Sequence, residues 1–405
     1  MNIKKIEKKI RAYALKNAIA YNGNAMQKPV ISSLFNEGLK KSEISKYIKR
    51  ISEIIKKVNE LSVKEQEKEF EKIKEQVSER KVREGLPELP NVKKSGVIMR
   101  FAPSASGPLH IGHAATACIS FLYVKKYGGK FYIRIEDTNP ENIYPPAYKM
   151  IKEESDWLFD GIAEIFIQSE RMEIYYEYAE KLIKKNTVYV CTCQSEKFKE
   201  FISAKKNCPC RKTSVKSNLE KWRKMLNRTK NGFKEGDAVL RFKSNMKNKN
   251  PAFRDFPLAR INETKHVLQG EKYRVWPLMN FAVAVDDIEM KMTHIIRGKE
   301  HRDNAARQTM IYKALGFEKK FPWTFFLGRY KFKDLVLSKT KMRKAIENGE
   351  YSGWDDPRLP TIASLRKKRY KPSAFWKFSE QVGLSENDKV IDQKEYFRLL
   401  DYFNK

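Results

Sequence analysis

No stretch of the chain approaches the roughly 20 apolar residues needed to span a bilayer, and the lysine-rich amino terminus lacks the hydrophobic core of a secretory signal. A membrane protein is therefore not expected and a cytoplasmic location is; the glycosylation sequons at Asn227 and Asn262 then carry no meaning. Cysteine is scarce, five in 405 residues, which argues against a disulfide scaffold and for free thiols or metal ligands. Histidine is equally scarce, also five. Acidic residues are outnumbered, 50 Asp and Glu against 82 Lys and Arg, for a formal net charge of +32. Such an excess favours a polyanionic partner, because phosphate contacts release counterions and supply most sequence-independent affinity. A solvated, lysine-biased surface would give the same count, so charge points to nucleic acid without proving it.

What the chain does have is a stretch from Val97 to Thr116 that reads as strand, loop and helix. Val97 to Phe101 is an apolar strand, a Pro-, Ser- and Gly-rich turn follows, and a helix begins near Ile111. A loop at the carboxyl end of a parallel strand delivers an anion to the free N–H groups and positive dipole end of the next helix. Gly107 and Gly112 allow the backbone to come close. His110 and His113, three apart, would lie on one helix face and point at phosphates. Two surface histidines beside a turn are the uneventful alternative, made weaker by the strand and glycine loop around them.

Arg100-Phe-Ala-Pro-Ser104 followed by Pro108-Leu-His-Ile-Gly-His113 resembles the His-Ile-Gly-His motif of class I aminoacyl-tRNA synthetases. The Arg-Phe-Ala-Pro-Ser lead-in is similar to glutamyl-tRNA synthetase in particular. Lys130 to Asp137 then reads as a second strand of an alternating βαβ sheet, and its charged carboxyl end makes Arg134, Glu136 and Asp137 candidates by position. Residues 134 to 140, Arg-Ile-Glu-Asp-Thr-Asn-Pro, resemble the same family. The resemblance implies that Glu136, with Arg100 and Ser104, holds the substrate amino acid, the acid partnering its α-ammonium group. A surface salt-bridge cluster is the alternative.

Residues 1–95 read as helical and highly charged. Ile44, Tyr47, Ile48, Ile51, Ile54, Ile55 and Val58 fall on one helix face, and Ser62 with Glu65 predicts a capping box opening the next helix. A helical extension with Tyr21-Asn-Gly23 resembles the archaeal form of the family. Cys191, Cys193, Cys208 and Cys210 make two Cys-x-Cys pairs, suggesting a closed Cys₄ zinc site of structural type, although each pair is spaced more tightly than usual. Cys118, on an apolar helix face, reads as core. The basic segment from about 212 to 270 is, by resemblance, the part that reaches the acceptor end of tRNA.

Met292 to His301 reads as a short buried strand whose carboxyl end delivers Arg297, Gly298 and His301 toward the same sheet edge as the opening motif. A guanidinium suits bidentate recognition of a carboxylate, and the resemblance gives Arg297 the γ-carboxylate of glutamate. Val336-Leu-Ser-Lys-Thr340 resembles the second class I motif, Lys-Met-Ser-Lys-Ser, with Lys339 retained, and Tyr351 to Pro360 resembles glutamyl- and glutaminyl-tRNA synthetases. A mobile lysine can neutralise charge on leaving pyrophosphate.

The expected fold is thus an α/β, doubly wound parallel (Rossmann-type) class I catalytic domain. Its expected parts are an N-terminal helical region at 1–95, the first catalytic half at 96–190, a zinc-bearing acceptor-stem-binding insertion at 191–270, the second half at 271–315, and a helical stem-contact region at 316–405. The resemblance implies ATP-dependent ligation of L-glutamate to tRNA(Glu) through a glutamyl-adenylate. His110, His113 and Lys339 would be catalytic; Gly112, Gly298 and Ser338 would join them around ATP, and Mg²⁺ would ride on the phosphates. Archaeal relatives continue into anticodon-binding β-barrels, so a separate anticodon-binding subunit docking near 360–405 is a further expected partner. The alternatives are a truncated paralogue that glutamylates another tRNA, a glutaminyl enzyme, which Arg297 disfavours, and a catalytically silent RNA-binding relative.

Overall fold

Apolar residues at three- and four-residue spacing organise the first part of the chain. In the computed structural model, which describes residues 3–39, 43–78, 85–335 and 337–405, Met1–Arg83 and Glu84–Lys405 form two units. The first contains helices α1 (Ile3–Ala20), α2 (Gln27–Asn36), α3 (Ile44–Asn59) and α4 (Val63–Ile73). α3 buries Ile51, Ile54, Ile55 and Val58 and leaves Ile48 exposed. The capping box forms: Ser62 accepts from the Glu65 N–H, and the Glu65 carboxylate accepts from the Ser62 N–H at 2.8 Å. After α1 the chain turns through Asn22 and Gly23 at φ of 51° and 92°, and the Gly23 N–H returns to the Ala18 carbonyl. Buried Gln66 fastens this turn to α3, its amide donating to the Gly23 and Val58 carbonyls at 2.9 Å each.

In the second unit, strand β1 (Val97–Phe101), helix α5 (Ile111–Tyr127), strand β2 (Gly129–Ile135), helix α6 (Ala147–Leu158) and strand β3 (Glu164–Ile167) make two successive right-sized βαβ turns. The three strands pair in parallel in the order β1-β2-β3. The strand and helix read from the opening motif therefore lie where their pattern places them. Residues 85–95 belong with this unit rather than with the first: Leu89 sits in one core cluster with Val97, Met99 and Phe121.

Helix α7 (Met172–Lys184) leads into an inserted layer of β4 (Val188–Cys191), α8 (Ser195–Ser203), α9 (Val215–Leu226), β5 (Val239–Phe242), β6 (Pro257–Ile261) and β7 (Val275–Pro277). Its four strands are antiparallel in sequential order. The sheet thus runs from Val188 to Pro277, wider than 191–270. Its core is not its own, because Val188, Leu240 and Trp276 pack with Phe281, Ile311 and Tyr312 of the two helices that follow, α10 (Met279–Glu289) and, after β8 (His294–Gly298), α11 (Arg302–Leu315).

β8 pairs in parallel with β9 (Trp323–Leu327). β8 also lies along the edge of β1 that β2 leaves free: the Thr293 N–H donates to the Ile98 carbonyl at 3.0 Å, and the Ile98 N–H to Thr293 Oγ1 at 2.8 Å. Across the layer the order is therefore β3-β2-β1-β8-β9, with the reversal of winding between β1 and β8, where ligands collect in such sheets. β9 falls inside the stretch expected to be helical. Beyond it come β10 (Tyr330–Phe332), α12 (Lys339–Glu347), α13 (Ile362–Lys367), α14 (Pro372–Val382), β11 (Lys389–Ile391) and α15 (Gln393–Phe403). Phe375, Phe378, Tyr396 and Leu400 of α14 and α15 join Phe121 of α5 in the first core, so this end of the chain covers the first βαβ half. Among the described residues no helix is long and apolar enough to cross a membrane.

Candidate active site

The turn after β1 leads into His110 and His113, the residues expected at phosphates. α5 begins at Ile111, so His110 is its cap, not its first residue: the His110 ring accepts from the His113 N–H through Nδ1 at 3.3 Å. The two rings still meet, stacked with centroids 3.6 Å apart. At Gly112 a Cβ would press on the Leu337 side chain at 3.1 Å and on the His110 ring at 3.2 Å. Burial, reinforced by the Lys339 charge, holds His110 down at about 3, and burial with the His110 and Lys339 charges holds His113 well below its ordinary value. Both imidazoles are therefore neutral at pH 7, and with its Nδ1 acting as acceptor His110 carries its proton on Nε2. They can donate hydrogen bonds to a phosphate without contributing a full charge.

Lys339 supplies that charge. It opens α12, behind the Ser338 cap, and its Nζ lies 3.1 Å from the Gly107 carbonyl and 3.4 Å from that of Ser104. Gly107, at φ 148°, has a backbone conformation that side chains rarely adopt, and a Cβ there would come within 3.3 Å of the Lys339 chain. Burial lowers Lys339 to about 8, with Glu154 opposing. The second motif thus lies directly on the first, although 232 residues separate Lys339 from Gly107. Val336, the first residue of the motif, is outside the described residues.

The other end of the site is a set of interlocked charges at the carboxyl ends of β1, β2 and β8. Arg100 is buried and donates from Nε and Nη2 to the two oxygens of Asp287 at 2.6 and 2.8 Å. Arg134, fully buried, donates to Asp287 at 2.7 Å and to Glu136 at 3.2 Å. Asp286 accepts from Gln168, Arg171 and Tyr175, each at 2.8 Å. Despite burial, the Arg100 and Arg134 guanidinium groups hold Asp287 down at about 2. Glu136 is only partly covered and faces this cluster from the bridge it makes with Ser104, whose hydroxyl lies 2.9 Å from Ser106.

Arg297 differs from its neighbours. Its Nη1 donates to Gln308 at 2.8 Å, its Nε is buried without a partner, and among the described residues it makes no ion pair. Burial, with the Arg100 charge adding to it, lowers Arg297 to about 10. Asp287 and Glu136 act on it from a distance, but no carboxylate pairs with it among the described residues. Gly298 follows it at the end of β8, and His301 Nδ1 accepts from the Asn304 side-chain amide at 3.0 Å.

Asp137, the third strand-end candidate, and two histidines that no motif marks have structural occupations, and Cys118 lies in the core as its position predicts. Asp137 is buried and accepts from Tyr148 and from the Ser169 hydroxyl, both at 2.7 Å. His266 and His294 are buried against the carbonyls of Asp137 and Pro90 at 3.0 and 2.8 Å, and Cys118 sits in the core. The four remaining cysteines converge in the insertion, all Sγ atoms within 4.8 Å of one another. The cross pairs Cys191–Cys208 and Cys193–Cys210 are 3.9 and 3.7 Å apart. A tetrahedral ion with Zn–S of about 2.3 Å needs sulfurs about 3.8 Å apart, so the donor set and its size are compatible with a zinc site.

Asp286, Asp287, Gln308 and Glu154 belong to the site's surroundings, yet no motif marks them. The signal for the aspartates is two adjacent acids closing an otherwise apolar helical run, Phe281 to Val285. For Glu154 it is phase: Ala147, Ile151, Ser155 and Leu158 of α6 are buried, and Glu154 lies on that same face.

A family model described as the catalytic domain of class I tRNA synthetases (E and Q) matches residues 96–402. A protein of Methanocaldococcus jannaschii named glutamate–tRNA ligase is 45% identical over 384 residues, covering 95% of this chain and 68% of that one. Glutamate–tRNA ligases of Thermococcus kodakarensis and Methanothermobacter marburgensis are 42% and 41% identical, covering 96% and 97% of this chain and 69% and 70% of theirs. The matched family, the reversal of winding between β1 and β8, and the two motifs meeting across it agree, and the chain belongs to the class I tRNA synthetases of the E and Q family.

Proposed function

We propose that the chain ligates L-glutamate to the 3′ end of tRNA(Glu) in two steps, using ATP. The glutamate α-carboxylate attacks the α-phosphorus of ATP and pyrophosphate leaves; the terminal ribose hydroxyl of the tRNA then attacks the glutamyl carbonyl and AMP leaves. Neither step needs a protein nucleophile, so the residues act by position and charge. The observation that carries the reading is Arg297, a buried guanidinium without a carboxylate partner among the described residues, placed beside β1 across from Glu136. Arg297 takes the γ-carboxylate of glutamate and Glu136 the α-ammonium. Arg100, locked on Asp287, contributes its charge and its remaining Nη1, and Ser104 its hydroxyl. His110 and His113 donate to the triphosphate, Lys339 neutralises the departing pyrophosphate, and Gly112, Gly298 and Ser338 line the nucleotide. Mg²⁺ arrives with ATP, on its phosphates.

The test is incubation with ATP, total tRNA and either labelled glutamate or labelled glutamine. Glutamate is expected on tRNA, with glutamine incorporated at least about 10²-fold less efficiently, because the amide leaves Arg297 buried without a counter-charge. The kcat/KM for ATP is expected to fall as pH rises through about 8, where Lys339 loses its proton. No glutamate transfer at any pH removes the reading.

Cys191, Cys193, Cys208 and Cys210 would hold one structural Zn²⁺, which closes the loop between β4 and α9 and leaves no open position for chemistry. Metal analysis is expected to give one zinc per chain, and chelation to lower Tm. Purified protein without zinc, melting identically with chelator, removes the assignment.

A further inference from the structure

Glu154 is a buried carboxyl with no part in the chemistry above. It projects from α6 beneath the phosphate-binding turn, 5% exposed, and its Oε2 accepts from the Leu109 N–H at 2.6 Å. Leu109 immediately precedes His110 and is fully buried, so no water replaces that bond. The Ala363 N–H also favours the ionised Glu154 carboxyl electrostatically. Ala363 follows the segment that pairs with the turn: the Ile362 N–H donates to the Leu109 carbonyl at 3.0 Å and the Ile111 N–H to the Pro360 carbonyl at 3.1 Å. Glu154 thus bonds the His110 side of the backbone pairing directly and acts electrostatically on the N–H of Ala363 on the other side. Lys339, on the other side of the turn, is coupled to the same group, each charge favouring the other's ionised form. The second oxygen, Oε1, is buried without a partner.

We propose that Glu154 is a positioning residue: through the Leu109 N–H it fixes the backbone from which the His110 and His113 rings project, at the point where the 360–362 segment pairs with that turn. The inference extends the proposed ATP-dependent reaction to a residue that touches neither substrate. Burial raises the Glu154 carboxyl to about 8, with the Leu109 N–H and Lys339 opposing, so the neutral form predominates at pH 7. A glutamine is then its near-isostere and retains the acceptor, whereas a methionine fills the space without one.

Two variants of the full chain, Glu154→Gln and Glu154→Met, separate position from packing. By hydrogen exchange at pH 7, amides of the 109–113 segment are expected to exchange about tenfold faster in Glu154→Met, with Glu154→Gln within about twofold of the wild type. In glutamylation assays Glu154→Met is expected to lose about tenfold in kcat/KM for ATP with the KM for glutamate unchanged, and Glu154→Gln to restore it. Unchanged exchange in Glu154→Met, or exchange in Glu154→Gln as fast as in Glu154→Met, overturns the proposal. The exchange measurement needs no catalysis, so an inactive wild type would count against the proposed function and leave this test standing. Should Glu154→Met not fold, Glu154→Gln decides alone: native-like exchange and ATP kinetics support the role, and loss of either overturns it.

Discussion

Lys339→Ala is expected to lower kcat for glutamylation by about 10²- to 10³-fold, the usual cost of deleting one preorganised group from developing charge, while the Kd for tRNA stays close to that of the wild type. The reasoning starts from the charges around the turn. His110 and His113 are neutral at pH 7, so among the described residues the full positive charge bonded to the Ser104–Gly107 backbone is that of Lys339. Its two hydrogen bonds there go to carbonyl oxygens, which hold an ammonium without neutralising it. As pyrophosphate separates, negative charge builds that the Mg²⁺ arriving with ATP offsets only in part, and the loss of Lys339 falls on the chemical step rather than on substrate affinity. Pre-steady-state measurement of adenylate formation checks this. A variant whose kcat is within about threefold of the wild type would take Lys339 out of the reaction.

Arg297→Ala is expected to raise the KM for glutamate by about 10²-fold or more, with the KM for ATP nearly unchanged, since breaking a buried charge pair by removing one partner costs several kcal/mol. Three arginines converge near the amino-acid end, but they are not equivalent. Arg100 and Arg134 share Asp287, whose two oxygens accept three of their N–H groups. Among the described residues Arg297 hydrogen-bonds the neutral Gln308 amide and makes no ion pair. Substituting Arg100 is therefore a packing and charge disruption of the whole cluster, whereas Arg297→Ala removes one unpaired cation. Steady-state kinetics with glutamate varied at saturating ATP and tRNA gives the result. An unchanged KM would move the γ-carboxylate site elsewhere.

Local pattern was legible in the chain to the residue in several places. The alternation from apolar strand to glycine-rich turn to helix placed β1 and α5, and the Ser62-x-x-Glu65 spacing placed a cap, because each depends on neighbours within a few positions. The four cysteines were legible as a set, since thiols are rare here and their two tight pairs share one loop. Arg100 illustrates the limit. Its motif marks it as important, yet its partner Asp287 lies 187 residues on, and only the fold decides that its guanidinium is spent on a buried acid.

The sequence alone determined the element types around the first motif, the family to which that motif belongs, and the candidates for phosphate and carboxylate recognition, because rare residue types in short fixed spacings encode those features. The tertiary structure decided which candidates are free to act. Burial and long-range pairing made His110 and His113 neutral, locked Arg100 and Arg134, left Arg297 without a carboxylate and put Glu154 under the turn. Those properties come from the local dielectric and from partners far off in the chain, and neither is written in any contiguous stretch of residues.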